Sequence, residues 1–255
     1  MSEVKLYHGD CLIEMNKIAD KSVDMILCDL PYGTTACSWD VVIPFDKLWE
    51  QYNRIIKDNG GIVLFGSEPF SSALRMSNLK MYKYDWIWKK NKVGNIFNCK
   101  HSPLKEYEVI SVFSKYNIAN GSKNIMKYFP QGLENTNIIY PSENRKTQGT
   151  ITNRPCRNKS HTQTQTNYPR NILEFNCENG LHPTQKPIAL LEYLIKTYTN
   201  ENETVLDNCM GSGSTGVACI NTNRNFIGIE KDDKYFDIAE DRIEAAKKHN
   251  ELNLF

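Results

Sequence analysis

The 255-residue chain predicts an α/β fold in which a largely parallel sheet is covered by helices. Three observations predict it. Short apolar runs alternate with segments of helical period, as βαβ architecture requires. The run VDMILC delivers Asp29-Leu30-Pro31-Tyr32-Gly33 to its carboxyl end, the place where open α/β sheets hold ligands. A glycine-rich turn at 211–216 links another apolar run to a helical segment.

In chain order, Val4 to Tyr7 reads as a strand, and Val23 to Cys28 as a second, bounded by polar residues before it and DLPYG after it. Phe45, Leu48, Trp49, Tyr52, Ile55 and Ile56 recur at three and four, which makes an amphipathic helix ending at Asn59-Gly60-Gly61. Ile62 to Phe65 is a third strand, followed by a helix from Ser67 to Met76. Tyr82 to Lys89 and Tyr107 to Ser114 are aromatic and β-branched, as expected of a hairpin with a long loop. Asn117 to Asn176 is dense in Asn, Thr, Gln, Lys and Arg and carries no sustained apolar period. It reads as an irregular subdomain or as a segment that orders on a partner. Alternation returns with helix Ile188 to Tyr198, strand Thr204 to Asp207, helix Thr215 to Asn221, strand Phe226 to Glu230 and helix Asp232 to Lys248.

With 40% hydrophobic and 24% charged residues, the composition is that of an ordinary globular protein. No apolar window reaches the ~18 residues of a membrane helix, and the first ten residues, MSEVKLYHGD, lack a secretory pattern, so a cytoplasmic protein is expected. The eight cysteines are never closer than nine positions apart. This excludes C-x-x-C zinc or redox pairs, and reduced thiols and no metal are expected. The net charge of +1 hides local excess: Lys80 to Lys105 holds seven lysines and one acid, and Pro141 to Arg170 six Lys or Arg and one acid. Such a surface can meet phosphates.

Gly211-Ser-Gly213-Ser-Thr-Gly216 fits G-x-G-x-x-G, and Glu230 stands 19 residues after the first glycine, a fingerprint for an adenosine cofactor. Two features oppose NAD. Asp207 ends its strand four residues before Gly211, which lengthens the loop, and only 39 residues follow Gly216. No Gly-Lys-Ser/Thr follows the loop, so it is not a P-loop.

The order DLPYG, FGSEPF (65–70), YDWIWKK (84–90), EYEVISVFSK (106–115), HPTQKP (182–187), VLDNCMGSGSTG (205–216) and FIGIE (226–230) resembles the β-class of S-adenosylmethionine-dependent DNA amino-methyltransferases. The resemblance spans the chain apart from 117–176. It implies a Rossmann-like methyltransferase fold with a mostly parallel seven-stranded sheet and a permuted motif order, the N-terminal strand lying beside the C-terminal one. It also implies a catalytic half at 1–116, a target-recognition region at 117–176 and a cofactor half at 177–255. The chain departs from the family pattern at Leu30, where the family has proline, and at Asp207-Asn208-Cys209, where it has Asp-Pro-Phe.

On this resemblance S-adenosylmethionine is the cofactor, held by Asp207, Gly211, Ser212, Gly213 and Ser214, with Glu230 on the ribose hydroxyls. Asp10 and Cys11 would sit in the adenine pocket, and Thr184 or Lys186 would face the methionine carboxylate. Asp29, Leu30, Pro31 and Tyr32 would be catalytic. An exocyclic amine is a poor nucleophile because its lone pair is delocalised into the ring. Asp29 and the Leu30 carbonyl would accept its hydrogens and turn the lone pair toward the methyl group. Tyr32 would stack on a base taken out of the duplex, and Pro31 would stiffen the turn. Aspartate rather than serine at position 29 resembles adenine-N6 enzymes more than cytosine-N4 ones. Cytosine-C5 transfer would need a thiolate, and Pro155-Cys156 lacks a partnering acid motif.

The implied partner is double-stranded DNA. Lys89, Lys90 and Lys92 would contact phosphates, while Arg145, Arg154, Arg157 and Gln163 are the candidate base readers. The rival readings are cytosine-N4 methylation and a DNA-binding relative without turnover. RNA or protein glutamine is disfavoured by the polar insert and HPTQKP. Homodimerisation and a cognate restriction enzyme stay open.

Overall fold

A computed structural model of the chain describes residues 2–34, 40–142, 160–178 and 185–252. They form two compact units, one of Met1–Phe129 with Asn171–Phe255 and the other Pro130–Arg170.

The larger unit contains β1 (Val4–His8), α1 (Cys11–Glu14), β2 (Val23–Cys28), α2 (Phe45–Ile55), β3 (Ile56–Gly66), α3 (Phe70–Ser77), β4 (Tyr82–Gly94) and β5 (Lys105–Phe113). Its remaining elements follow the smaller unit, a hairpin of β6 (Glu134–Tyr140) and β7 (His161–Thr166). They are β8 (Ile172–Glu174), α4 (Ile188–Tyr198), β9 (Thr204–Asp207), α5 (Ser214–Asn221), β10 (Asn225–Glu230) and α6 (Asp233–Leu252).

The sheet order is β1-β10-β9-β2-β3-β5-β4-β8. β1 runs parallel to β10, with His8 opposite Glu230, so the two ends of the chain meet as the permuted order implies. All six residues of β2 are buried, as expected of a parallel strand covered on both faces. Met25 and Leu27 pack into the layer with α4, α5 and α6, while Val23, Ile26 and Cys28 face the layer with α2 and α3. β5 is antiparallel to both β3 and β4, so β4 runs in the direction of β3. The end of β4 and the start of β5 therefore lie at the carboxyl edge of the parallel strands, where β2 delivers Asp29.

Two expectations are corrected. The sheet has eight strands rather than seven, because Ile172–Glu174 pairs in parallel with Ile87, Trp88 and Lys89. Its three residues are too short to show a period, and of them only Leu173 is buried. Helix α2 stops at Ile55, not at Gly60-Gly61, and β3 begins at once. The register jumps from Val23 opposite Ile56 to Met25 opposite Gly61, and a Cβ on Gly60 would lie 2.7 Å from the Asp24 carbonyl oxygen. Close backbone approach in a bulge, rather than helix capping, is what requires glycine there.

Candidate active site

The strand ends converge on one cavity of about 590 Å³. Asp29, Leu30, Pro31 and Tyr32 line it, as do Asp10, Cys11, Lys186, Asp207, Gly211, Ser212, Ser214 and Glu230. Gly213 stands behind the loop as the left-handed residue, φ +76°, that starts α5. Its missing side chain lets α6 approach, since a Cβ there would be 2.9 Å from Ala239. Thr184 lies outside the described residues.

Asp29 is held at both oxygens. The Tyr32 hydroxyl donates to Oδ1 at 2.5 Å, and the Lys186 ammonium donates to Oδ2. Lys186 is 7% exposed and is shared with a second acid, its Nζ standing 3.4 Å from Glu108 Oε2. Lys90 pairs with the other oxygen of Glu108. Lys186, which the resemblance sets at the methionine carboxylate, thus meets Asp29 and Glu108 in the same cavity.

Burial pushes the Asp29 carboxyl above its usual range, and the neighbouring Lys186 charge opposes that rise. Burial also works against the Lys186 ammonium, but Asp29 and Glu108 outweigh it and its pKa is raised. For Glu108 the two lysines overcome burial and hold the carboxylate below its ordinary value. Asp29, Lys186, Glu108 and Lys90 therefore form an alternating ladder of charges with no net excess, the arrangement in which buried charges can persist.

The Tyr32 ring packs against Phe70 at 4.9 Å between centroids. The turn beyond it is stapled by Asp40, whose carboxylate accepts from the Gly33 and Thr34 amides at 2.8 and 2.9 Å. The acid and the ring are thus fixed by partners on two sides.

On the cofactor side, Glu230 Oε2 accepts from the Gly211 amide at 2.8 Å, and Oε1 accepts from the Lys231 and Asp232 amides, each at 2.9 Å. A carboxylate offers about four acceptor sites, so capacity for a hydroxyl donor remains. The Ser212 and Ser214 hydroxyls are held from α6 by Arg242, at 2.9 and 3.2 Å. Asp207 accepts from the Thr215 hydroxyl at 2.6 Å and the Cys209 amide at 3.1 Å, and burial pushes its pKa up to about 6. Asn208, at the departure from the family pattern, accepts a 2.5 Å bond from the buried Tyr52 hydroxyl. Asp10 caps α1 through the Leu12 amide at 3.0 Å and lies 3.5 Å from Lys231 Nζ. Cys11 adjoins Cys209, and its thiol is pushed up by that contact and by burial, so it sits in the cavity as a neutral group. The six described cysteines are free thiols.

Of the lysines expected on phosphates, Lys89 is exposed and lies 3.1 Å from Glu174, Lys90 turns inward to Glu108, and Lys92 is exposed. Gln163 lies on β7 and donates to the Gln165 carbonyl at 2.8 Å. Arg145, Arg154, Arg157 and Pro155-Cys156 fall outside the described residues. Among the described residues no group of His, Cys, Asp or Glu is placed to hold a metal, and no helix is long and apolar enough to cross a membrane.

Sequence reasoning missed Glu108, Asp40, Asn208 and Arg242. Glu108 left one signal, an acid directly ahead of the apolar run VISVF. Arg242 left none, because it stands among the many charged residues of its helix, DKYFDIAEDRIEAAKKHNEL.

A family model described as a DNA methylase matches residues 23–241. The chain is 26% identical over 263 residues to the type II methyltransferase M2.MboI of Moraxella bovis, covering 93% of this chain and 86% of the relative. It is 27% identical over 263 residues to the DNA adenine methyltransferase YhdJ of Escherichia coli strain K12, covering 96% and 84%. Among solved structures, the M1.HpyAVI–SAM complex superposes with a TM-score of 0.59 at 24% identity, over 94% of this chain and 99% of that one. The PvuII cytosine-N4-specific DNA methyltransferase gives 0.66 at 14% identity, over 97% and 92%, a likeness of fold alone.

Proposed function

The chain belongs to the DNA methylase family whose model spans residues 23–241, and from that premise we propose that it transfers a methyl group from S-adenosylmethionine to N6 of adenine in DNA. The single observation that carries this reading is that the Asp29 carboxylate and the Glu230-anchored glycine loop line one cavity. A volume of about 590 Å³ suits a nucleoside cofactor together with one base. The donor set also fits the cofactor: Glu230 and Asp10 can accept from hydroxyl and amino groups, and the glycine loop lets a ligand approach the backbone. The adenine assignment is supported by aspartate at position 29 and by the adenine methyltransferase among the relatives.

When bound, the cofactor supplies an electrophilic methyl group on a sulfonium. The protein's task is to present a nitrogen lone pair in line with it. Asp29 accepts one hydrogen of the adenine amine and the Leu30 carbonyl accepts the other, which makes the nitrogen more tetrahedral. Tyr32 and Lys186 fix the carboxylate before the base arrives, so little orientation entropy is lost in reaching the reactive geometry. After transfer, the surplus proton leaves the nitrogen to the Asp29 carboxylate and from there to solvent. The target amine is unreachable inside a stacked duplex, so the adenine is flipped out, and the Tyr32 ring, already fixed against Phe70, receives it.

Residues 117–176, which include the β6–β7 hairpin, are the proposed target-recognition region, between catalytic (1–116) and cofactor (177–255) halves. Exposed Lys89 and Lys92 would meet phosphates, and Arg145, Arg154, Arg157 and Gln163 the base edges. DNA as the substrate supports a cytoplasmic location, and the likeness to a type II methyltransferase supports seeking a cognate restriction enzyme as partner. Long-read detection of modified bases in DNA from cells expressing the chain tests the proposal. N6-methyladenine in a fixed sequence context is expected, and N4-methylcytosine in its place would overturn the adenine assignment.

A further inference from the structure

The hairpin between β4 and β5 ends in a tip that the proposed chemistry does not use. From Asn91 to Lys105 the chain reads NKVGNIFNCKHSPLK, with four lysine or histidine side chains at positions 92, 100, 101 and 105 and no acid. Phe97 at its apex is fully exposed, 102% relative to an extended reference, and Ile96 beside it is 61% exposed. Val93 and Leu104 are also exposed. A contiguous apolar tip in water is unfavourable unless it serves a contact.

The tip is built, not loose. Asn95 takes the left-handed conformation, φ +63°, and starts a single 3-10 turn over Ile96–Asn98. The Asn98 amide side chain donates to Asn95 Oδ1 at 2.6 Å, and Asn95 Nδ2 donates to Ser102 Oγ at 2.9 Å. The His101 and Ser102 backbone amides both return to the Asn98 carbonyl, at 2.8 and 2.9 Å. These bonds fold the loop onto itself and leave its two largest apolar side chains pointing at solvent.

Its position is set by the sheet. β4 and β5 carry the tip beyond the carboxyl edge, on the side where Asp29 opens to the cavity. Glu108 lies in the cavity wall, three positions, roughly 10 Å of strand, from Lys105 at the start of β5 where the loop ends. A rigid aromatic apex with cationic flanks suits a surface that is anionic outside and stacked and apolar within. A DNA duplex has that profile: lysines meet phosphates while an apolar side chain enters a base step.

We infer that Phe97, supported by Ile96, is a wedge that enters the DNA stack beside the target adenine and holds open the gap left when that base flips out. Phe97 is a positioning residue, since it touches the duplex and not the reacting atoms. The inference rests on the proposed DNA methylation and adds to it the element that opens the duplex.

The test uses the full chain and a duplex carrying the recognition site mapped by long-read sequencing. In one version the target adenine is paired with thymine. In the other it faces an abasic site, where unstacking is already cheap. Single-turnover methyl transfer to both duplexes gives a ratio, abasic over paired. In Phe97→Ala that ratio should rise about ten-fold over wild type, because only the paired duplex needs the wedge. With 2-aminopurine at the target position, the same variant should lose most of the fluorescence gain on the paired duplex. Phe97→Trp should keep both the wild-type ratio and the fluorescence gain. An unchanged ratio in Phe97→Ala, or a ratio raised equally in Phe97→Trp, overturns the wedge. Wild-type transfer to the paired duplex reports separately on the methylation reading.

Discussion

The buried ammonium of Lys186 donates to Asp29 Oδ2 while its Nζ stands 3.4 Å from Glu108 Oε2, so one cation is divided between the proposed catalytic carboxylate and a second one. This pairing bears on how Asp29 stays ionised inside a cavity whose burial favours the neutral form.

Lys186→Met should move the acid limb of activity to higher pH. The lysine favours charged Asp29. Without it burial acts unopposed, the Asp29 pKa rises further, and the ionised form is lost sooner as pH falls. The profile of kcat/KM between pH 5 and 9 checks this, and a limb that stays at its wild-type position would remove Lys186 from the control of Asp29.

Tyr32→Phe keeps the ring and deletes the donor to Asp29 Oδ1. A hydrogen bond to a charged group contributes about 1.5–3 kcal/mol, so the single-turnover rate should fall roughly ten-fold or more. Tyr32→Ala also removes the stacking plate and should fall further. Equal rates for the two variants would show that the ring contributes nothing.

Glu230→Ala removes the acceptor that holds the Gly211, Lys231 and Asp232 amides as well as the proposed ribose contact. Titration calorimetry should show S-adenosylmethionine binding weakened by about ten-fold or more, while the protein stays folded by circular dichroism.

Asp207→Asn should stabilise the cofactor-free protein at pH 8 by roughly 1–3 kcal/mol. Between the ordinary carboxylate range and about 6, the folded state binds a proton at Asp207 that the unfolded state does not. Wild-type stability is therefore greatest below that window and is lost as pH rises through about 6. Asparagine can accept from the Cys209 amide through Oδ1 and, with the hydroxyl reversed, donate from Nδ2 to Thr215 Oγ1, without the charge. Urea unfolding at pH 4.5 and pH 8 should show the wild-type slope flattened in the variant.

What could be read in advance was local. β2 was legible because its six residues are all buried, and β9 because an apolar run ends at an acid and a glycine turn. Asp29 and Glu230 stood out because they close such runs. The partners that fix these residues were not legible. Lys186 meets Asp29 across 157 positions and Tyr52 meets Asn208 across 156, separations over which no periodicity carries information. The short strand β8 and the bulge at Gly60 were hidden for a related reason: backbone pairing with a distant strand creates both.

The most direct measurement is rapid-quench methyl transfer by Asp29→Ala on a duplex carrying the mapped site, with S-adenosylmethionine affinity determined in parallel. Transfer should fall by a factor on the order of a thousand, with cofactor affinity within a few-fold of wild type. Transfer near the wild-type rate, or an equal collapse of cofactor binding, would contradict the assignment of this carboxylate to the adenine amine.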